Sequence, residues 1–181
     1  MEKRTMSTTQ LVQAAFLVAI SIAMTRFLYF FIPLAGMPAL RISFGEIPLM
    51  IGGLLFGPLI GGIGGLAADV IGVMINPQGA FHPGFMLSSV LWGVIPGLLG
   101  VYFKNVGDKR NPFTTQRIVL TVSICIIIIS LGFDTLWLTG LYGKGFLVLL
   151  PGRILAALGK TPVYSFITVT LMKHLTRLVA I

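Results

Sequence analysis

Ionisable residues interrupt several of the most apolar segments of this 181-residue chain. Arg26, Asp134, Arg153 and Lys160 each lie in a stretch that is otherwise hydrophobic, and His82 lies in a nearby polar segment. Charge is costly inside a bilayer, so such residues usually line an interior cavity, pair with one another or contact a polar ligand. These positions are therefore the first candidates for function.

The composition is typical of an integral membrane protein. Hydrophobic residues make up 56% of the chain and charged residues only 10%, unlike a water-soluble domain of this size. The sequence predicts an all-α membrane protein, a compact bundle of six transmembrane helices that forms a single domain over residues 1–181. With roughly 20 apolar residues needed for each span, the predicted spans are about 10–32, 44–57, 60–75, 83–103, 117–141 and 150–174.

Basic residues are distributed unevenly between the predicted loops. Most of them lie at the N-terminus, after the fourth span and at the C-terminus, whereas the opposite loops carry Arg41 and Lys144. By the positive-inside rule, both termini are predicted to be cytoplasmic. The net charge of +8 is then mostly inner-surface charge that faces the lipid bilayer, and it gives no reason to expect nucleic acid as a partner.

The embedded polar residues are predicted to share one depth in the membrane. From the rise of an α-helix, Arg26 and Asp134 both fall in the outer third of a core roughly 30 Å thick. Arg153 and Lys160 are predicted at about the same level, and Tyr164 shares one face of the last helix with them. Aromatic walls with cations are typical of a pocket for a flat, anionic organic molecule. The fourth helix and the loop before it supply the facing candidates, which are Phe81, His82, Phe85, Ser88 and Trp92.

The charge balance inside the spans favours an anionic ligand. Arg26, Arg153 and Lys160 are three embedded cations, whereas Asp69 and Asp134 are two embedded acids. Either arginine taken alone could simply pair with Asp134 and hold the bundle together. Asp69 is expected to be structural and satisfied by backbone or hydroxyl groups. The remaining positive charge calls for an anion, unless Lys160 is neutral.

Other polar residues have simpler interpretations. Glu46 is close to Arg41 in the sequence and is expected to mark the outer membrane surface. Trp137 and Tyr142 are expected in the interfacial aromatic belt. His82 is expected either to cap the following helix or to form one hydrogen bond with a ligand.

Motifs for catalysis and metal binding are missing from the sequence. Residues 159–161 imitate the end of a phosphate-binding P-loop, but the required earlier glycine would fall at Ile154, and the segment lies in an apolar helix. There is no HExxH, no GxSxG and no metal-spaced set of His and Cys, and Cys125 is alone. No cofactor or metal is expected. An intramembrane enzyme that uses Lys160 or His82 stays open as an alternative.

Small residues recur at helical spacing in two places. Glycines at 53, 57, 61 and 65, and again at 93 and 97, repeat every four residues, a pattern that favours close helix packing. Pro58 interrupts the first series, so a tight turn is expected there. Ala15, Ala19 and Ala23 form a smooth stripe on the cytoplasmic half of the first helix. This alanine stripe either packs inside the bundle or docks on a separate membrane subunit.

In combination, these residues resemble the S component of an energy-coupling factor transporter, and the folate-specific kind is the most similar. The resemblance covers about residues 11–174 and is carried by four features: the alanine stripe, the segment RISFGEIP at 41–48, the glycine-rich third helix and the segment GAFHPGF at 79–85. It implies a non-catalytic substrate-binding subunit in the plasma membrane of a prokaryote. The ligand would lie near the outer side, beneath the loops that join helices one to two and three to four.

The resemblance also implies partner chains and a ligand. The alanine stripe would dock on a transmembrane coupling subunit, and two cytoplasmic ATPase subunits would hydrolyse ATP. The rings of folate would stack on aromatic side chains, and its carboxylates would attract some of the three cations. Asp134, or an amide such as that of Asn76, would hydrogen-bond the pterin edge. An S component for riboflavin or thiamin is the alternative, although the positive charge of thiamin argues against it.

Overall fold

Six helices follow one another in the computed structural model, which describes residues 7–34, 37–77, 82–106 and 112–178. Five of these helices are long and apolar enough to cross a membrane, and the sixth is a shorter apolar helix. The prediction of a six-helix membrane bundle is confirmed. In chain order the helices are α1 (Thr8–Phe27), α2 (Glu46–Phe56), α3 (Pro58–Ile75), α4 (Pro83–Val106), α5 (Thr115–Tyr142) and α6 (Phe146–Leu178).

A β-hairpin follows α1 where a continuation of the first helix was predicted. The helix ends at Phe27, and β1 (Tyr29–Leu34) pairs antiparallel with β2 (Met37–Ser43). The predicted first span, 10–32, is therefore too long at its C-terminal end. Pro33 lacks an amide hydrogen and disfavours a helical residue before it, while the aromatic and β-branched residues that precede it favour extended backbone.

Glycines allow α2, α3 and α4 to pack with their backbones in contact. A Cβ atom at Gly93 of α4 would overlap the carbonyl oxygen of Gly61 in α3, and one at Gly53 of α2 would overlap the carbonyl oxygen of Gly93. Only glycine fits at such contacts. The predicted turn between α2 and α3 is also present, because Gly57 has a φ of 94° and Pro58 begins α3.

The short helix α2 lies at the centre of the bundle. Residues 47–55 are all buried, and they share one apolar core with Ile118, Val122 and Cys125 of α5 and with Met172 of α6. Because neighbouring helices surround α2, its first residue is held inside the protein. This placement decides which charges meet in the site.

Candidate functional site

A cavity of about 510 Å³ lies among all six helices. It is bounded by the C-terminal ends of α1 and α3, the N-terminal ends of α2, α4 and α6, and the C-terminal half of α5. Its volume falls in the usual range of roughly 300–1,000 Å³ for small-molecule sites. The cavity brings together most of the residues that the sequence predicted for a site, namely Arg26, His82, Phe85, Ser88, Trp92, Asp134, Arg153 and Lys160.

Tyr164 does not line the cavity, but it contacts Glu46, which does. Its side chain is buried, with 1% of the residue exposed, and its hydroxyl group donates to the Glu46 carboxylate at 2.5 Å and contacts the carbonyl oxygen of Ser43. Tyr164 is not among the residues that line the cavity, so the predicted stacking of a ligand on its ring stays a prediction. Phe81, the remaining predicted residue, lies outside the described residues.

Arg26, in the last turn of α1, is held by α3. Its Nη2 atom lies 3.1 Å from Asp69 Oδ1, and its guanidinium group donates to the carbonyl oxygens of Asp69 and Asn76, each at 3.3 Å. Asp69 is therefore paired with Arg26, a charged partner that the expectation of backbone or hydroxyl groups did not include. Gly72 permits the ion pair, since a Cβ atom there would overlap the guanidinium group.

Arg153 is anchored to α5 by an irregular stretch of that helix. Residues Ile126–Phe133 form a π-helical segment, in which hydrogen bonds join residues five apart. The carbonyl oxygen of Ser130 in this segment accepts hydrogen bonds from Arg153 Nε at 3.1 Å and Nη2 at 2.7 Å. Arg153 also lies 3.6 Å from Asp134 Oδ2, which is one of the predicted alternatives for this arginine.

Lys160 is paired with Glu46 inside the protein. Its Nζ atom lies 3.5 Å from Glu46 Oε1, and both residues line the cavity. The expectation that Glu46 marks the outer surface beside Arg41 is therefore wrong. The hairpin returns the chain to the bundle, and Ser21 Oγ fixes the turn before α2 by donating to the carbonyl oxygen of Gly45 at 2.7 Å.

This third pair changes the predicted charge balance of the site. Among the described residues, three embedded cations face three acids, and each cation has its own partner. The predicted surplus of positive charge is therefore wrong, because Glu46 was not counted among the embedded acids. The cavity beside the three pairs nevertheless exists, and all six charged groups line it.

Aromatic side chains form one wall of the site near the start of α4. The His82 ring lies 5.9 Å from the Phe85 ring and 5.7 Å from the Trp137 ring, and its Nδ1 atom accepts a hydrogen bond from the Gly84 amide at 3.1 Å. This is the predicted helix-capping role of His82. Trp137 donates from Nε1 to Ser88 Oγ at 3.2 Å, so it packs into the bundle through the space left by Gly84 and is more than a belt residue.

Several lining residues were not predicted as part of the site. Ser21 and Thr25 could have been found, because they lie one turn apart on α1, on a different face from the alanine stripe. The remaining lining residues show no such periodic spacing in the sequence. The lining residues that the prediction left out include Ser21, Thr25, Tyr29, Glu46, Asp69, Ser130 and Tyr142.

The alanine stripe faces away from the cavity. Ala15, Ala19 and Ala23 are all exposed, whereas Ala14 and Ser21 of the same helix are buried against the bundle. Of the two predicted alternatives, packing of the stripe inside this bundle does not occur. Docking on another subunit stays a prediction.

Comparison with known proteins assigns the chain to a family. The family model described as the substrate-specific component of ECF transporters matches residues 9–172. The folate transporter FolT of Clostridium novyi (strain NT) is 35% identical over 168 residues, which cover 93% of this chain and 90% of that protein.

Solved structures show the same fold. FolT bound with folic acid has a TM-score of 0.72 and 29% sequence identity over 90% of this chain and 93% of that chain. The S-component for biotin from an ECF-type ABC transporter also has a TM-score of 0.72, over 96% of this chain and 95% of that chain, but its 20% identity bears on the fold alone. The resemblance drawn from the sequence is confirmed, and the chain belongs to the substrate-specific components of ECF transporters.

Proposed function

We propose that this protein is the folate-binding subunit of a bacterial ECF importer, which takes up folate from the outer side of the plasma membrane. One observation carries the proposal. A cavity of about 510 Å³, lined by three cations and by aromatic side chains, occurs in a chain that is 35% identical to a folate transporter. Folate combines a flat aromatic system with a dicarboxylate tail, and each part has a chemical counterpart in this lining.

The flat part of folate is matched by the aromatic wall and by Asp134. Trp92 and Phe85 line the cavity and offer ring faces for stacking. Asp134 also lines it, and its buried Oδ1 atom has no hydrogen-bond partner among the described residues. A buried acceptor without a donor is costly, so the N–H groups of a pterin edge would satisfy it.

The carboxylates of folate are matched by Lys160 and by the two arginines. All three cations line the cavity, and charge-assisted hydrogen bonds to carboxylates are among the stronger polar contacts. Each cation already has one acidic partner, so ligand binding would rearrange pairs that exist in the empty site. Tight and reversible binding, without covalent change of the ligand, is the expected chemistry.

Transport requires partner chains. The alanine stripe on α1 is exposed and smooth, and small residues allow another helix to approach closely. It would dock on a transmembrane coupling subunit, while two cytoplasmic ATPase subunits would supply the energy. This chain would act as a single membrane domain with both termini in the cytoplasm, as the distribution of basic residues indicates.

The small molecule that co-purifies with the protein tests this function. The chain would be purified in mild detergent from cells grown with folate, and native mass spectrometry would be recorded before and after denaturation. We expect a bound molecule with the mass of a folate. A bound riboflavin or thiamin would contradict the assignment and favour another S component.

A further inference from the structure

We propose that Glu46 is an internal competitor of the ligand, a carboxylate that holds Lys160 in the empty site and that an anionic ligand displaces from it. The inference rests on the proposed function, because it assumes that the ligand carries a carboxylate. In this role, Glu46 limits the affinity of the site for anions, and it forms the ion pair with Lys160 again when the ligand leaves.

Lys160 is held much less tightly than the two arginines. Arg153 donates hydrogen bonds to both the carbonyl and the hydroxyl oxygen of Ser130, at 2.7 to 3.2 Å. Arg26 donates to two backbone carbonyl oxygens and to a carboxylate oxygen. For Lys160, by contrast, the described part of the chain provides an ion pair with Glu46 at 3.5 Å, the Tyr164 ring at 5.0 Å and an electrostatic attraction to Asp134, but no hydrogen bond.

This leaves the Lys160 ammonium group with unused bonding capacity. An ammonium group has three N–H donors, and a buried charge without good acceptors is costly. Lys160 is only 8% exposed, and it lines the cavity. A ligand carboxylate that reached it could offer a shorter contact than the present one. Of the three cations, Lys160 is therefore the one best suited to change partners.

Glu46 is held in place independently of Lys160. Its Oε2 atom accepts a hydrogen bond of 2.5 Å from the Tyr164 hydroxyl group, whereas the contact with Lys160 uses the other oxygen, Oε1. Glu46 is the first residue of α2, where the helix dipole favours a negative charge. Ser21 fixes the preceding residue, Gly45, through its carbonyl oxygen. The Glu46 carboxylate would thus remain at the cavity wall after Lys160 turned to a ligand.

A fixed carboxylate at the wall opposes an anionic ligand in two ways. It competes for the Lys160 ammonium group, and it repels the incoming negative charge directly. Neither effect acts on a neutral ligand of the same ring system. Removal of the Glu46 charge should therefore favour folate selectively over a pterin that lacks the carboxylate tail.

The test compares Glu46→Gln with the wild type by calorimetric titration of the purified full chain. Glutamine keeps the size of the side chain and an oxygen that can accept from Tyr164, but it removes the charge. The probes are folate and a neutral pterin without the glutamate tail. We expect the ratio of the folate Kd to the neutral-pterin Kd to fall about tenfold in the variant.

Two further variants accompany this titration. Lys144→Gln changes the net charge of the chain by one unit at an exposed residue that does not line the cavity, and it should leave the Kd ratio at the wild-type value. Glu46→Ala is a second charge-free variant, so the result does not depend on one variant folding.

The outcomes separate the inference from the proposed function. A wild type that binds folate, with a Kd ratio that is unchanged or raised in both Glu46 variants, would overturn the inference and leave the folate assignment standing. A folded wild type that binds no folate would overturn the proposed function and, with it, this role of Glu46.

Discussion

Arg26 of α1 and Asp69 of α3 form an ion pair of 3.1 Å beside Gly72, a residue without a side chain that would fill the same space. The guanidinium group also donates to the carbonyl oxygen of Asn76, and the Asn76 amide donates to the carbonyl oxygen of Arg26 at 3.2 Å. The end of α1 is thereby tied to the end of α3. These contacts fix one corner of the cavity.

Neutralisation of Asp69 should destabilise the protein. Asp69→Asn leaves the Arg26 charge without its acidic partner, and Arg26 is only 4% exposed. Removal of one partner of a buried pair typically costs about 3 to 5 kcal/mol, and we expect about 3 kcal/mol here because Asp69 is partly exposed to the cavity. Thermal unfolding in detergent measures the effect, with Lys144→Gln as an exposed control. Equal melting temperatures for Asp69→Asn and this control would contradict the prediction.

The packing of α3 against α4 should not tolerate a methyl group. In Gly93→Ala, the new Cβ atom would overlap backbone atoms of Gly61, which cannot move without separating the helices. We expect a loss of roughly 1 to 3 kcal/mol of stability or a loss of folded protein. Gly140→Ala is the matched control, because a Cβ atom there meets nothing within 4 Å. Folded yield and melting temperature are the measurements, and a Gly93→Ala protein as stable as its control would contradict the packing.

Substitutions in the alanine stripe should separate binding from transport. Ala19→Trp places a large side chain on an exposed face that does not touch the cavity, so folate binding by the isolated chain should remain unchanged. Capture of the coupling and ATPase subunits should fall at least tenfold, because the smooth surface is lost. Leu158→Trp, at a position that is 68% exposed on α6, is the control. Equal capture by both variants would remove the stripe from the docking surface.

The cations of the cavity should contribute measurably to folate affinity. Loss of a charge-assisted hydrogen bond costs roughly 1.5 to 3 kcal/mol, so the Kd for folate should rise about tenfold or more in Lys160→Ala and in Arg153→Ala. Lys144→Ala, which changes an exposed lysine, should leave it unchanged. Equilibrium binding on variants that elute as folded monomers is the measurement. Unchanged folate affinity in both variants would remove Lys160 and Arg153 from the site.

Helix geometry was enough to predict that Arg26, Asp134 and Lys160 would lie around one site. The depth of Arg26, Asp134 and Lys160 follows from the start of each helix and the rise per residue. All three residues line the cavity. Close packing at the glycine series was also predictable, because spacing along a helix determines which residues share a face.

Contacts between residues that are far apart in the sequence were not predictable from local sequence patterns. The position of Glu46 is set by the pairing of Tyr29 with Ser43 in the hairpin and by Tyr164, a residue more than a hundred positions away. Its sequence neighbour Arg41 suggested a surface position. The π-helical segment Ile126–Phe133 gave no periodic signal either, because Ser130 is its one polar residue. The predicted charge balance was wrong because the position of Glu46 depends on these non-local contacts.

Calorimetric titration of folate into the purified full chain, beside riboflavin, thiamin and biotin under the same conditions, tests the central claim most directly. Saturable one-to-one binding of folate, with no binding of the other three, is the expected result. Binding of one of those vitamins by a protein that does not bind folate would contradict the claim.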